Sequence, residues 1–122
     1  MKIKASQLNV DREHETRATL KFAGDDGAPQ ELDVTLVFRG RSAAQGRRFR
    51  ELIGKADSYE YVDFLAVYLV RIPELAGDDG LPVTITRELL ETWSVENIAV
   101  MHAAIEEVFH PNPSPPPVSP AG

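Results

Sequence analysis

The stretch that decides the fold runs from Asp57 to Leu75 and reads DSYEYVDFLAVYLVRIPEL. Its apolar side chains recur at the i, i+3, i+4, i+7 spacing that lines one face of a helix. These side chains are Tyr61, Phe64, Leu65, Tyr68, Leu69 and Ile72. The opposite side carries Val62, Ala66, Val67 and Val70, where a solvent-facing helix would show charges. A helix that is apolar nearly all round must be covered nearly all round, so this segment predicts a central helix that is core, a binding surface, or both.

The ends of this central helix carry their own signals. Asp57 is the predicted N-cap, and Glu60, three residues later, completes a capping box. Pro73 ends or kinks the helix, because proline lacks an amide hydrogen and clashes with the preceding turn. We therefore expect one helix from Asp57 to about Leu75.

Two strands precede the helix. Apolar and polar residues alternate from Thr16 to Phe22 and again from Leu32 to Phe38, which is the period of a half-buried strand. Glycine, aspartate and proline between the two runs are turn residues, so the sequence predicts an antiparallel hairpin. Pairing places four charged side chains on one outer face, namely Arg17, Lys21, Glu31 and Asp33.

Helical patterns flank the central segment. One helix is expected from Arg41 to Gly54. After the central helix, Thr86 is the predicted N-cap of a short helix from Arg87 to Trp93, and Ser94 caps a last helix to about Phe109. The predicted class is α+β, with an N-terminal antiparallel β-hairpin or small sheet followed by three to four helices.

Length and composition predict one domain. Residues 1–110 are expected to form a single globular domain, because 122 residues suffice for one hydrophobic core. Residues 111–122 hold six of the nine prolines, which predicts a Pro-rich exposed or disordered tail. The absence of cysteine excludes disulfides, thiolate metal sites and a cysteine nucleophile.

The charge balance narrows the class of partner. A formal net charge of -6 and a pI near 5.0 argue against a nucleic-acid or anionic-membrane binder, which needs a clustered positive field. No signal peptide is apparent, and no apolar run reaches the roughly 18 residues of a membrane span. The sequence predicts a cytoplasmic protein with protein partners.

Possible metal and phosphate sites have plainer interpretations. Two Gly-Asp-Asp-Gly runs, at 24–27 and 77–80, lack the alternating oxygen ligands of a calcium loop and are interpreted as turns. His102 and Glu106 share a helix face, but two ligands without a third do not predict a zinc site. The arginines between 39 and 50 are interpreted as a solvated helix face. No metal, cofactor or catalytic residue is predicted, and the chain is expected not to be an enzyme.

The order of elements from Tyr61 to Glu107 resembles the tail assembly chaperones of long-tailed, siphovirus-like bacteriophages. The matching pieces are the apolar run 64–72, the acidic-glycine turn and proline at 78–83, the Thr-capped start at 84–90, and the closing apolar helix 98–107. Members often have a tryptophan after the central helix, where this chain has Ile72 and Pro73.

The resemblance implies a non-enzymatic protein that binds the tape-measure protein and assists polymerisation of the tail tube. The tape-measure protein is the expected partner, the tail-tube protein a possible second one, and a homo-oligomer is possible. Expected partner-binding residues are Tyr61, Val62, Phe64, Leu65, Val67, Tyr68, Leu69 and Val70. Two alternatives stay open: a small acidic secretion-type chaperone or adaptor, and a phage tail-completion or connector protein.

Overall fold

A computed structural model describes residues 1–54 and 60–111. These residues form an antiparallel sheet of three strands in the order β1-β2-β3, together with α-helices, which confirms the predicted α+β class. A short 3-10 turn, Ala5–Leu8, precedes the sheet. The elements are β1 (Glu13–Ala23), β2 (Pro29–Arg39), α1 (Ala43–Ile53), α2 (Glu60–Tyr68), β3 (Leu69–Arg71), α3 (Arg87–Glu91) and α4 (Val95–Phe109).

The predicted hairpin is present, and its two strands are longer than the alternating stretches of sequence that predicted them. β1 and β2 pair without interruption from Glu13 opposite Arg39 to Ala23 opposite Pro29. The turn between them needs a positive φ at Gly27, where φ is 80°, a conformation that residues with a Cβ rarely adopt. Lys21 lies directly opposite Glu31, so the predicted charged outer face is confirmed.

The expectation of one helix from Asp57 to Leu75 is wrong at its C-terminal end. The helix α2 ends at Tyr68, and the next three residues form β3, which pairs with β2 through Phe38 opposite Leu69 and Val37 opposite Arg71. The run from Leu69 to Ile72 fits the apolar period of a helix and that of a strand, because short apolar runs do not distinguish the two. The run forms a strand because the free side of β2 can pair with it, and because the residue before Pro73 is disfavoured in the helical conformation. Asp57 lies outside the described residues.

The core surrounds α2. Side chains from the sheet and from α3 and α4 pack against it, and Phe49 of α1 adds an edge-to-face contact with Phe64, with ring centroids 5.7 Å apart. The largest fully buried core side chains are Leu36, Phe38, Leu65, Tyr68, Leu90, Ile98, Met101 and Ile105. The chain itself therefore covers the apolar surface that the sequence left open.

Hydroxyl side chains begin three of the helices. Each accepts a hydrogen bond from the backbone amide three residues later, which satisfies an otherwise unpaired donor. The pairs are Ser42 with Gln45 at 3.2 Å, Thr86 with Leu89 at 3.1 Å, and Ser94 with Asn97 at 3.2 Å. The predicted caps Thr86 and Ser94 are confirmed. The predicted tail beyond Pro111 lies outside the described residues and stays a prediction.

Candidate functional site

Most of the predicted partner-binding residues lie inside the domain. Six of them are at most 5% exposed: Val62, Phe64, Leu65, Val67, Tyr68 and Leu69. Val62 and Val67 are therefore buried in the single chain, because the domain's own elements enclose α2 on both sides, and partner binding through the six buried residues stays a prediction. Val70 is half-buried and Tyr61 is 36% exposed. Partner binding through these two residues stays a prediction.

Tyr61 lies at the border between α2 and α4. Its ring stacks on the imidazole of His102, with centroids 4.1 Å apart and planes 18° apart. Burial lowers the pKa of His102, while the negative charges of Glu106 and Glu60 partly oppose this shift. This aromatic contact joins the two helices, and His102 lies half-buried at the edge of the core.

A large apolar depression lies elsewhere, between the far half of the hairpin and the α3 region. It has a volume of about 850 Å³. Its apolar walls are formed by Leu20, Phe22, Leu32, Leu75, Val83, Leu89 and Trp93. We call it the hairpin groove. An open depression with mainly apolar walls suits the apolar face of a peptide or helix better than a small polar ligand.

The hairpin groove exists because the hairpin is longer than the helices that cover it. On the covered half, Val34 and Leu36 are fully buried. Phe22 and Leu32 continue the same face toward the turn, yet they are 46% and 40% exposed. Large apolar side chains left adjacent and uncovered on one face are a mark of an interaction site.

The rim of the hairpin groove is acidic on one side. Asp78 and Asp79 belong to the second Gly-Asp-Asp-Gly run, and Asp79 Oδ1 accepts a hydrogen bond from Leu81 N at 3.0 Å. In the first run Asp26 Oδ1 accepts from Ala28 N at 2.9 Å in the same way. Both runs are thus turns closed by an aspartate, as the sequence indicated. The second run also places negative charge at the rim of the groove.

A pair of hydrogen bonds fixes the other side of the hairpin groove. The Asn97 side chain accepts from Lys21 N at 2.9 Å and donates to Lys21 O at 2.7 Å. An amide side chain here takes the place of a neighbouring strand. These bonds attach the N-terminal turn of α4 to the outer edge of β1, and so they set the width of the groove.

A smaller pocket of about 470 Å³ lies between α1 and α2. Its charged lining is mixed, with Arg41 and Arg50 beside Glu106. Burial raises the pKa of Tyr68 in its wall, the two arginines oppose that shift and Glu106 adds to it. The remaining arginines of α1, Arg47 and Arg48, are exposed. This mixture does not build the uniform positive field that a phosphate site needs.

Other chemistry is sparse in the described part of the chain. Within residues 1–54 and 60–111, no three or more histidine, cysteine, aspartate or glutamate side chains come together as metal ligands would. Among the described helices, none has the length and apolar character needed to cross a membrane. Comparisons with protein-family models, with curated proteins and with solved structures found no match.

Alternation along the strands predicted the face on which Phe22 and Leu32 lie. It did not predict their exposure, because coverage depends on where α3 and α4 end over the sheet. The useful signal in the sequence is that both residues stand next to a turn rich in glycine and aspartate, at the tip of the hairpin.

Proposed function

We propose that this chain is a non-enzymatic tail assembly chaperone of a long-tailed bacteriophage, which binds the tape-measure protein in the host cytoplasm and assists polymerisation of the tail tube. The order of elements between Tyr61 and Glu107 suggests the family. The observation that supports the binding role is the exposed apolar hairpin groove, since α2 is enclosed and offers little surface. The binding surface of the proposal therefore moves from α2 to the groove.

The groove fits a particular kind of segment. A partner helix would lay its apolar face against Phe22, Leu32 and Trp93. Basic side chains beside that face would meet the acidic Asp78 and Asp79 on the rim. The net charge of -6 also favours association with a basic amphipathic segment. Covering such stripes until the tube forms around them is the task of a tape-measure chaperone. Contact with the tail-tube protein is a second element of the proposal.

The test compares groove variants with a matched surface variant. Phe22→Ser and Leu32→Ser remove apolar side chains that are 46% and 40% exposed in the groove. Ile53→Ser removes one that is 41% exposed on α1, away from the groove. Each is co-expressed with the tape-measure protein of the phage that carries the gene, and soluble complex is measured by pull-down and light scattering.

We expect the two groove variants to weaken tape-measure binding by about tenfold or more and Ile53→Ser to leave it nearly unchanged, because a buried apolar anchor contributes about 1 to 3 kcal/mol. Thermal melts confirm that all three variants fold. Equal binding by all three variants would contradict the proposed groove. Absence of binding by the parent chain would contradict the function itself.

Two other roles predict different results. A secretion-type chaperone or adaptor would bind a secreted protein through the same groove and would leave the tape-measure protein aggregated. A tail-completion or connector protein would remain in mature particles, whereas an assembly chaperone leaves them. Mass spectrometry of purified virions separates the connector role from the proposed one, and the co-expression assay with the tape-measure protein separates the secretion-type role.

A further inference from the structure

The β1 strand forms a long outer edge of the sheet. It pairs with β2 over 11 residues, and the order β1-β2-β3 leaves its other side without a partner strand in the described part of the chain. In an antiparallel ladder the amide and carbonyl of one residue point to the same side, and that side alternates along the strand. A long unpaired edge is a template for another strand.

Hydrogen bonds at the two ends of β1 show which residues face outward. Lys21 bonds to Asn97 outside the sheet, whereas Arg12 O accepts from Gly40 N on the β2 side. Odd-numbered residues therefore direct their backbone groups away from β2. Between Arg12 and Lys21 these groups have no hydrogen-bond partner within residues 1–54 and 60–111. They belong to Glu13, Glu15, Arg17 and Thr19, all of them exposed residues.

The charges along this edge complement one another. Glu13 is already held by Arg71 through two hydrogen bonds of 2.8 and 3.0 Å. The Glu15 carboxylate has no ion pair or hydrogen bond in the described residues, although its charge helps to raise the pKa of Arg71. Arg17 makes a long hydrogen bond of 3.4 Å to Thr35, and its charge helps to lower the pKa of Glu74. Glu15 and Arg17 are thus an exposed carboxylate and an exposed guanidinium two residues apart, and neither is held in a salt bridge within the described residues.

A second, antiparallel copy of β1 can pair with this edge in several registers. One of them places opposite charges across from each other and uses only free backbone groups. With the two-fold axis at Thr16, Glu15 of each copy lies opposite Arg17 of the other, and each such pair exchanges two backbone hydrogen bonds. An axis at Arg17 would place two guanidinium groups opposite each other. An axis at Ala18 would require the backbone groups of Lys21, which Asn97 already binds.

The helix above this edge supports the same contact. Asn97 points over the edge, and Val100, Ala104 and Val108 follow it on the same side of α4 at helical spacing. The two valines are 40% and 45% exposed, and Val108 lies beside His14 of β1. The side of α4 next to the free edge is therefore apolar, with Val100 and Val108 exposed and Ala104 half-buried against the core.

We propose that the chain forms a two-fold symmetric homodimer through its β1 edges, with Glu15 opposite Arg17 of the second copy. The sheet then continues across the axis, and the two α4 helices pack antiparallel through Val100, Ala104 and Val108. The small side chain of Ala104 lets the helices approach closely at the centre. Because the strands are antiparallel, the two hairpin grooves lie at opposite ends of the dimer. The inference does not depend on what the grooves bind.

Charge reversal tests the register with the full-length chain. In Glu15→Arg or Arg17→Glu, like charges oppose each other across the axis, and we expect sedimentation equilibrium to show dimerisation about tenfold weaker or more. The double variant Glu15→Arg/Arg17→Glu restores opposite charges and is expected to dimerise nearly as well as the parent. Glu31→Arg reverses a charge one strand away from the edge and is the control.

Mixing provides the sharper measurement. Copies carrying Glu15→Arg and copies carrying Arg17→Glu pair poorly with themselves but are complementary to each other, so an equimolar mixture should form heterodimers. Circular dichroism verifies that each variant is folded, and if one is not, the other still tests self-association. A parent chain that stays monomeric at millimolar concentration, or a dimer unaffected by both reversals, would overturn the proposal.

A second pair of variants tests the helix contact. Val100→Lys places a charge on the side of α4 that faces the axis, and we expect dimerisation about tenfold weaker because the lysine is desolvated there. Ala103→Lys changes an exposed position farther round the same helix and should have little effect. Equal dimerisation of the two would contradict the packing of α4 against its copy.

Discussion

One buried carboxylate joins α3 to α2. Asp63 is 0% exposed, and its Oδ1 accepts a hydrogen bond from Arg87 Nε at 2.8 Å. Its Oδ2 has no partner within the described residues. Arg87 Nη1 also lies 3.0 Å from Glu91 Oε1, one helical turn later. Because the Asp63 carboxylate loses its hydration fully and the Arg87 guanidinium loses part of it, such a pair contributes more to fixing the position of α3 than to net stability.

Removing the cation should therefore be costly. We expect Arg87→Met to lower the thermal midpoint by several degrees, because it leaves the Asp63 carboxylate buried and unpaired. The double variant Asp63→Leu/Arg87→Met should recover much of the loss. Arg47→Met, on the exposed side of α1, is the control, and calorimetry is the measurement. A single variant as stable as the parent would show that Asp63 finds water instead.

His102 should make stability depend on pH. Burial lowers its pKa below the ordinary value of 6.5, so at mildly acidic pH the unfolded chain binds more protons than the folded one. Its contribution is intact above the unfolded pKa and is lost as pH falls through 6.5 toward the folded pKa. Urea melts between about pH 7 and about pH 5.5 should show a decline that is smaller in His102→Gln. Equal declines in the parent chain and in His102→Gln would show that other groups cause the pH dependence of stability.

The helix α4 is the element that connects the two halves of the molecule. Ser94 begins it, its core side packs on the sheet and α2, and Asn97 holds the edge of β1. The far half of the hairpin has little other support, since Phe22 and Leu32 are exposed there. The Asn97 side chain is therefore an important anchor of the hairpin tip on α4.

Replacing that amide should loosen the hairpin. We expect Asn97→Ala to reduce the free energy of unfolding by about 1 to 3 kcal/mol, because two hydrogen bonds of roughly 0.5 to 1.5 kcal/mol each are lost. Glu96→Ala, at the neighbouring exposed position, should cost far less. Urea melts give the free energies, and hydrogen exchange at Lys21 reports the local opening. Unchanged exchange at Lys21 in Asn97→Ala would contradict this role.

At the scale of the whole molecule, one core has α2 at its centre. The sheet lies on one side of it, and α1, α3 and α4 complete the cover. Among the apolar surfaces that stay open in the described residues are the hairpin groove and the α4 side above the β1 edge. The proposals of a partner helix and of a dimer use these different surfaces, so both contacts can form together.

Substitutions in α2 test the enclosure directly. We expect Leu65→Ala to cost about 2 to 5 kcal/mol, because it leaves a cavity at a fully buried position. Val67→Asp should prevent folding, since it buries a charge without a partner. Val95→Asp, 67% exposed at the start of α4, should be tolerated, because a negative charge suits a helix N-terminus. A folded Val67→Asp variant would indicate that the side of α2 that carries Val62 and Val67 is a surface and not core.

The sequence predicted the local features because each depends on a few neighbouring residues. Alternation from Thr16 to Phe22 indicated β1, and Thr86 and Ser94 marked the starts of α3 and α4, since a hydroxyl satisfies nearby amides wherever the helix lies. It missed β3, because the apolar period of Leu69 to Arg71 fits helix and strand alike. Only the open side of β2 distinguishes them.

The sequence by itself determined the α+β class, the hairpin and the need for α2 to be covered, because periodicity and capping act over a few residues. The tertiary structure alone decided what covers α2. Val62 and Val67 became core, since other elements reach them, while Phe22 and Leu32 at the end of the same hairpin became surface. Burial depends on distant parts of the chain, so a residue's apolar character cannot by itself indicate whether it serves the fold or a partner.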